Sequence, residues 1–432
     1  MTTSRAEPVA SERRLASGGA VLAVAMMAAN AANYLLSLFL GRVLTPAEFS
    51  DANLMVTTLF SLTSIALCLQ LVASRFIARC DALGVPGDGD ALARRLRRLA
   101  LLAGLVASAV LAVGSPGWSA LFQTASPWPF VVLAAGVPFW LVQAVERGVL
   151  QARLRFVPLA VSFVVEAGTR IGLGVLLVWA GGGVPGATAA LSASFVVTFV
   201  VVRIAARVRG ARPTGAGVSP AEVRAYAGFV SVLLIGQIIA NNSDIFVAKA
   251  FLSPTDAGVF AAVALIGRAV FFLTWSVVTV VFPVAARQQA AGRGMPGLLV
   301  KATAAVVAIG LLCTAAAWWV GGPVLETVLG PAYAGLSGAM AAYAGATTLF
   351  AIGNLVAAHR LSQSRVTESW LLLGAALLQV VLLLVWHRDM ADLIAVQAVA
   401  MGCLVLVLAV RALPTLPYLS RSSTGARQEV TP

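Results

Sequence analysis

Leu44-Thr45-Pro46-Ala47-Glu48-Phe49-Ser50 returns in the second half of the chain as Leu252-Ser253-Pro254-Thr255-Asp256-Ala257-Gly258. Around these stretches, residues 33–79 lie over 241–287 without a gap, so that Asn33 meets Asn241 and Ala78-Arg79 meets Ala286-Arg287. A second anchor follows, in which Leu150-Gln151-Ala152-Arg153 resembles Ser362-Gln363-Ser364-Arg365. Each opening stretch reads as a helix start. Pro near the first helical position needs no backbone donor, Thr45 or Ser253 can cap the end, and Glu48 or Asp256 suits the positive pole of the helix dipole. A helix start that recurs in both halves predicts two similar lobes.

Working outward, the surroundings of both copies are apolar. The 432 residues are 60% hydrophobic and only 11% charged, and the mean hydropathy is +0.93. A soluble domain carries about 25% charged residues, so this is a polytopic membrane protein. Twelve runs are long enough to cross a hydrocarbon core of ~30 Å: 18–41, 52–78, 98–115, 128–150, 157–180, 185–207, 224–250, 258–284, 298–322, 335–360, 367–387 and 391–411. Backbone groups inside a bilayer must be satisfied within the segment, and the alternation of a barrel strand is absent, so the fold class is all-α. The repeat then divides the chain into a tail (1–17), an N-terminal lobe (18–212), a C-terminal lobe (213–411) and a second tail (412–432) that reads as disordered from Pro414 on. The copies are an even number of spans apart, so the lobes are expected to be related by a pseudo-two-fold axis along the membrane normal.

The net charge of +13 suggests a nucleic-acid binder until the basic residues are placed. With a cytoplasmic N-terminus, 25 of the 30 Lys and Arg residues fall in tails, inner loops and adjoining helix ends, against Arg42, Lys249 and Arg388 outside and Arg170 and Arg268 within spans. This is the positive-inside pattern, and it predicts both termini in the cytoplasm. Arg94, Arg95, Arg97 and Arg98 follow the turn-forming stretch Gly84–Gly89; they serve as an orientation signal and could touch anionic headgroups. Span one is too long for a signal-peptide core and is expected to remain in place.

Catalytic and metal chemistry have little to draw on. Cys68, Cys80, Cys313 and Cys403 show no ligand spacing and read as packing residues. His359 and His387 are the only histidines, and the outer loops leave no room for a catalytic domain. Neither an enzyme nor a cofactor or metal site is expected.

The residues quoted so far resemble the multidrug, oligosaccharidyl-lipid and polysaccharide exporter (MOP) superfamily, and within it the polysaccharide-export branch that includes the O-antigen flippases. Leu40-Gly41-Arg42-Val43-Leu44-Thr45-Pro46-Ala47-Glu48-Phe49 looks like the branch's first outer-loop signature, with Ser50 standing where the pattern has glycine. Asn242-Ser243-Asp244, Leu252 through Phe260, Gly267-Arg268 and Phe282-Pro283 look like its second-lobe counterpart. Arg170 and the run Gly181-Gly182-Gly183-Val184-Pro185-Gly186-Ala187 resemble the turn from span five to span six. The likeness covers most of the chain, roughly residues 30–370. It implies a flippase of a bacterial cytoplasmic membrane that moves an undecaprenyl-diphosphate-linked oligosaccharide outward by alternating access. Its partners would be the lipid-linked glycan, membrane lipids and other polysaccharide-assembly proteins.

Such a substrate needs a cationic, polar cavity, and intramembrane ionisable groups are where to look. Arg268, near mid-depth in span eight, is the first candidate for the diphosphate because a guanidinium fork matches phosphate oxygens; the alternative is an ion pair with Asp244. Glu166 and Arg170 sit four apart in span five and read equally as an ion pair or as cavity lining. Gln237, Asn241, Asn242, Ser243 and Asp244 crowd span seven, and Asn30 and Asn33 lie in span one. They either face sugar hydroxyls or bond to neighbouring helices, with Asn33 and Asn241 at equivalent repeat positions. Arg75, Gln143, Glu146 and Arg147 read as snorkelling or loop-anchoring residues. Gly168 and Gly172 are spaced for close helix approach, and Pro138 and Pro283 for kinks.

Three other readings stay open: a cation-coupled multidrug exporter, for which spans one and two lack an intramembrane acid; a lipid II flippase, for which twelve spans are two too few; and a membrane scaffold.

Overall fold

The computed structural model describes residues 6–206, 215, 217–290, 296–362 and 366–412, with side chains for these except 6–17, 275–276, 278–290, 296, 362 and 412. Among the described residues the structure is helical without strands: α1 (Ala6–Val43), α2 (Pro46–Ser61), α3 (Thr63–Ala82), α4 (Pro86–Val113), α5 (Ser115–Leu121), α6 (Trp128–Ala152), α7 (Phe156–Leu177), α8 (Gly183–Ala205), α9 (Pro220–Phe251), α10 (Pro254–Ala290), α11 (Pro296–Ala316), α12 (Gly322–Leu329), α13 (Ser337–Ser362), α14 (Thr367–Val385) and α15 (Met390–Ala412). Among the described residues, eleven continuous stretches are long and apolar enough to cross a membrane. One of them, Phe156–Ala205, has 50 residues; at 1.5 Å per residue it would run about 75 Å as a single rod. It breaks at Gly181, whose φ of 86° only glycine adopts readily. There α7 turns back to pack along α8. The stretch therefore holds two crossings, and the described residues make twelve.

The recurring heptapeptide is a helix start in both places. Thr45 caps α2 in a full capping box: its hydroxyl accepts from the Glu48 N–H at 3.3 Å, and the Glu48 carboxylate accepts from the Thr45 N–H at 3.0 Å. Before α10, the Ser253 hydroxyl accepts from the Asp256 N–H at 3.1 Å and donates to its carboxylate at 2.6 Å. The Ser50 hydroxyl turns back to the Ala47 carbonyl at 2.6 Å. Its counterpart Gly258 lies against Pro46, and a Cβ there would overlap the Pro46 carbonyl oxygen. Gly258→Ala is accordingly expected to destabilise the protein by about 1–3 kcal/mol, the cost of forcing a methyl group into a filled space. A lowered melting temperature in detergent, beside an unchanged Gly297→Ala control in open space, is the measurement.

The chain forms two compact units, residues 1–234 with 253–258, and residues 235–252 with 259–432. In unit 1, α6 is the central helix, packing on α3, α4 and α8. Its buried Val137, Leu141 and Val145 meet Phe76 and Phe195 in one core. Close approach comes at Gly104, where a Cβ would lie 2.6 Å from the Pro138 Cα, and at Gly148, where it would lie 2.6 Å from the Gln70 carbonyl. Gly168 and Gly172 instead have open space around them, so the spacing that suggested a packing face does not mark one. α6 runs unbroken through Pro138. The side chain of Pro283 is not described, and Gln363, Ser364 and Arg365 lie outside the described residues. The expected turn over Gly84–Gly89 is shorter than read: Pro86 opens α4, placing Gly87 and Gly89 within the helix.

At the loop-rich end of unit 1, Arg153 ties two helices together through Asp90 at 2.6 Å and Asp81 at 3.2 Å. Burial works against its charge, but the two carboxylates outweigh it and hold the guanidinium above its ordinary value. In unit 2, α13 takes the central place, packed on α11, α14 and α15, with Phe350 stacked on Phe271 at 5.7 Å.

Candidate functional site

Two polar constellations lie within the membrane-spanning helices, one in each unit. In unit 1, Glu166 and Arg170 project from α7 one turn apart, and the Arg170 Nη2 donates to Glu166 at 2.6 Å. The ion pair read from their spacing is therefore present. It is not closed on itself. Arg147 of α6 donates to the other Glu166 oxygen at 2.7 Å, and Gln143, one turn earlier on α6, donates to the same oxygen at 3.0 Å. Arg147 is further held by the Ser162 hydroxyl at 3.0 Å and the Ser162 carbonyl at 3.1 Å, with its guanidinium 4.1 Å from the Phe163 ring centre. Arg170 reaches across to α1, donating to the Asn33 side-chain oxygen at 2.9 Å, and passes over Phe195 at 5.4 Å. Its Nε makes no hydrogen bond among the described residues.

The electrostatic sum decides what this arrangement can do. Among the described residues, two guanidiniums share one carboxylate, so the network keeps one uncompensated positive charge. The side chains are 8–14% exposed, where a net charge is costly unless a counter-charge joins it. Such a site favours an anion over a cation.

The sequence reads Arg147 and Gln143 as snorkelling or loop-anchoring residues, and here the structure differs. Arg147 begins near the end of α6, but its long side chain runs back along α7 to Glu166. A signal for it does exist: Gln143/Arg147 and Ser162/Glu166/Arg170 each form a polar ladder at one-turn spacing, in consecutive spans joined by a short loop. Glu146 behaves as an anchor, gripped by Arg97 through two hydrogen bonds of 2.8 Å and approached by Arg203 at 3.6 Å. Arg75 lies over the Tyr226 ring at 4.4 Å.

In unit 2, Asp244 on α9 is fully buried. One carboxylate oxygen accepts from the Ile245 N–H at 2.9 Å, and the other accepts from the Tyr343 hydroxyl of α13. Arg268 on α10 interacts electrostatically with both Asp244 and Tyr343. The preceding glycine explains the grouping. A Cβ on Gly267 would overlap the Tyr343 ring, so its absence lets the ring lie across α10 with its hydroxyl at Asp244. Tyr343 has no signal in the sequence, since a lone tyrosine in an apolar helix reads as packing.

The other polar groups of α9 bond largely to neighbouring helices. Gln237 donates to Asn354 of α13, and the Ser243 hydroxyl accepts from Gln379 of α14 at 3.0 Å. Asn242 donates to the Ile238 carbonyl of its own helix at 2.9 Å. Asn241 is half-buried and Asn30 is exposed.

No protein-family model matches the chain. No curated protein matches it either. Solved structures do. A multidrug resistance MATE family transporter of the MOP superfamily, in an inward-facing conformation, superposes with a TM-score of 0.76 at 16% identity over 90% of this chain and 95% of that one. The lipid II flippase MurJ, in an inward closed conformation, gives 0.73 at 12% identity over 90% and 87%. A MOP superfamily transporter from Pyrococcus furiosus, described as having a binding pocket of reverse polarity that suggests a different function, gives 0.64 at 17% over 93% and 95%. The chain is thus a multi-pass, all-helical membrane protein. More particularly, its fold is the one found in MATE transporters and MurJ.

Proposed function

We propose that the protein is a flippase, moving an undecaprenyl-diphosphate-linked oligosaccharide or polysaccharide precursor from the inner to the outer leaflet of a bacterial cytoplasmic membrane. The observation that carries this reading is the uncompensated positive charge of the Arg147–Glu166–Arg170 network. A diphosphate is the kind of anion that completes it, through paired guanidinium contacts. Arg170 and Arg268 bind phosphate oxygens, Asn33 and Asn241 meet sugar hydroxyls, and Glu166 and Asp244 hold the arginines in place. The lobes 18–212 and 213–411 alternate access, and an inside-negative potential favours outward movement of the anionic head by about 2.3 kcal/mol per charge per 100 mV. The fold shared with the lipid II flippase MurJ supports a lipid-linked cargo.

A cation-coupled multidrug exporter is the second reading, supported by the likeness to MATE transporters and by the buried Asp244. The surplus positive charge in unit 1 disfavours the cationic cargo this reading would take.

The test is transport of a fluorescent undecaprenyl-diphosphate oligosaccharide in proteoliposomes. Arg170→Gln leaves Glu166 paired with Arg147, so the protein stays folded while the network becomes neutral. Transport is expected to fall about 10- to 100-fold, the worth of a charge-assisted contact. Undiminished transport would remove the network from the path. Drug efflux without lipid transport by the wild-type protein would replace the flippase reading with the exporter one.

A further inference from the structure

A groove of 530 Å³ lies among α4, α6 and α8 of unit 1, within the ~300–1,000 Å³ of ordinary small-molecule sites. Most of its lining is apolar, including Leu101, Leu105, Pro138, Phe139, Val142 and Phe199. Phe139 and Phe199 meet edge to face at 5.6 Å. Leu101 and Leu105 are about half exposed, at 45% and 50%, so the groove opens to the bilayer. One end is cationic. Arg97 and Arg98 line it, and Arg94 continues the face of Arg98, Leu101, Leu105 and Ser108 one turn back, at helical spacing.

The charges at this end do not cancel. Glu146 is the acid of α6, and both its oxygens are taken by Arg97. On α4, Asp90 is held by Arg153 and Asp88 accepts from the Gly215 N–H. α8 carries no acid, and its Arg203, 48% exposed, only approaches Glu146. Arg94 and Arg98 are exposed on α4.

We infer that this groove is a binding site for an anionic glycerophospholipid, with the phosphate between Arg98, Arg94 and Arg203 and one acyl chain lying along Leu101, Leu105 and Phe139. Charge complementarity selects the headgroup. Position selects a resident lipid over the transported carrier, because the groove opens to the bilayer whereas Gln143 and Arg147 are buried. The inference does not rest on the flippase reading.

Native mass spectrometry of the full-length protein, released from bilayers of equal parts phosphatidylglycerol and phosphatidylcholine, tests it. Wild type is expected to retain phosphatidylglycerol preferentially. Arg94→Gln with Arg98→Gln should lower that retention about fivefold for each guanidinium removed. Ala135→Trp, which fills the groove without touching its charge, should lower it independently, and Arg95→Gln, on another face of α4, should leave it unchanged. Equal retention of the two lipids by wild type would overturn the site, as would full retention by the double-glutamine variant or equal loss in Arg95→Gln. Preferential retention of undecaprenyl phosphate when offered beside phosphatidylglycerol would also overturn it, giving the groove to the carrier.

Discussion

Glu166→Gln is expected to cost the protein about 3–5 kcal/mol, enough to empty the membrane of folded material. This carboxylate holds Arg147 at 2.7 Å and Arg170 at 2.6 Å; without it, two nearly buried guanidiniums face each other with amide and hydroxyl partners only. The sign of the effect reverses when a second charge is removed. Glu166→Gln with Arg147→Gln leaves one arginine, still bonded to Asn33, and Glu166→Gln with Arg170→Gln leaves the other, still bonded to Ser162. Both double variants restore the original net charge and should recover most of the loss in melting temperature. A single Glu166→Gln variant that melts like the wild type would show that the network does not hold α6, α7 and α1 together.

Arg268→Ala is expected to lower transport about 10- to 150-fold with the protein still present in the membrane. The Asp244 carboxylate keeps the Tyr343 hydroxyl and the Ile245 N–H as hydrogen-bond donors when Arg268 is removed. A guanidinium contact to a phosphate gives about 1.5–3 kcal/mol, or about 10- to 150-fold in rate if it is made as the head crosses. Arg268→Lys tests the geometry: a point charge without the fork should restore only part of the rate. Full transport by Arg268→Ala would take Arg268 out of the site.

Most of the fold is legible in the sequence because it rests on local physics. Run length counts the crossings, and Thr45-Pro46 and Ser253-Pro254 mark helix starts through their own caps. Gly181-Gly182-Gly183 marks the reversal that divides the 50-residue stretch. The i, i+4 pair of Glu166 and Arg170 is local too. What stays hidden depends on which helices touch. Arg147 reads as a boundary residue until α6 is seen against α7. Gly168 and Gly172 have the spacing of a packing seam but point to open space, while Gly104 and Gly148, at no special spacing, make the close approaches. Gln237 and Ser243 share one crowded turn pattern with Asn241, and only their partners on α13 and α14 show that they are structural bonds.

The placement of Glu166 and Arg170 on one helix bears on how the chain is made. Helices leave the ribosome in order, so α6 enters the bilayer carrying Arg147 before its carboxylate partner has been synthesised. α7 then arrives with a pair already neutralised across one turn, and α8 follows through a turn that bears no charge. Arg147 is matched only once that hairpin is threaded. A nascent chain arrested after α6 would therefore hold Arg147 without any carboxylate partner, while one arrested after α8 would hold it at the Glu166 carboxylate that Arg170 shares.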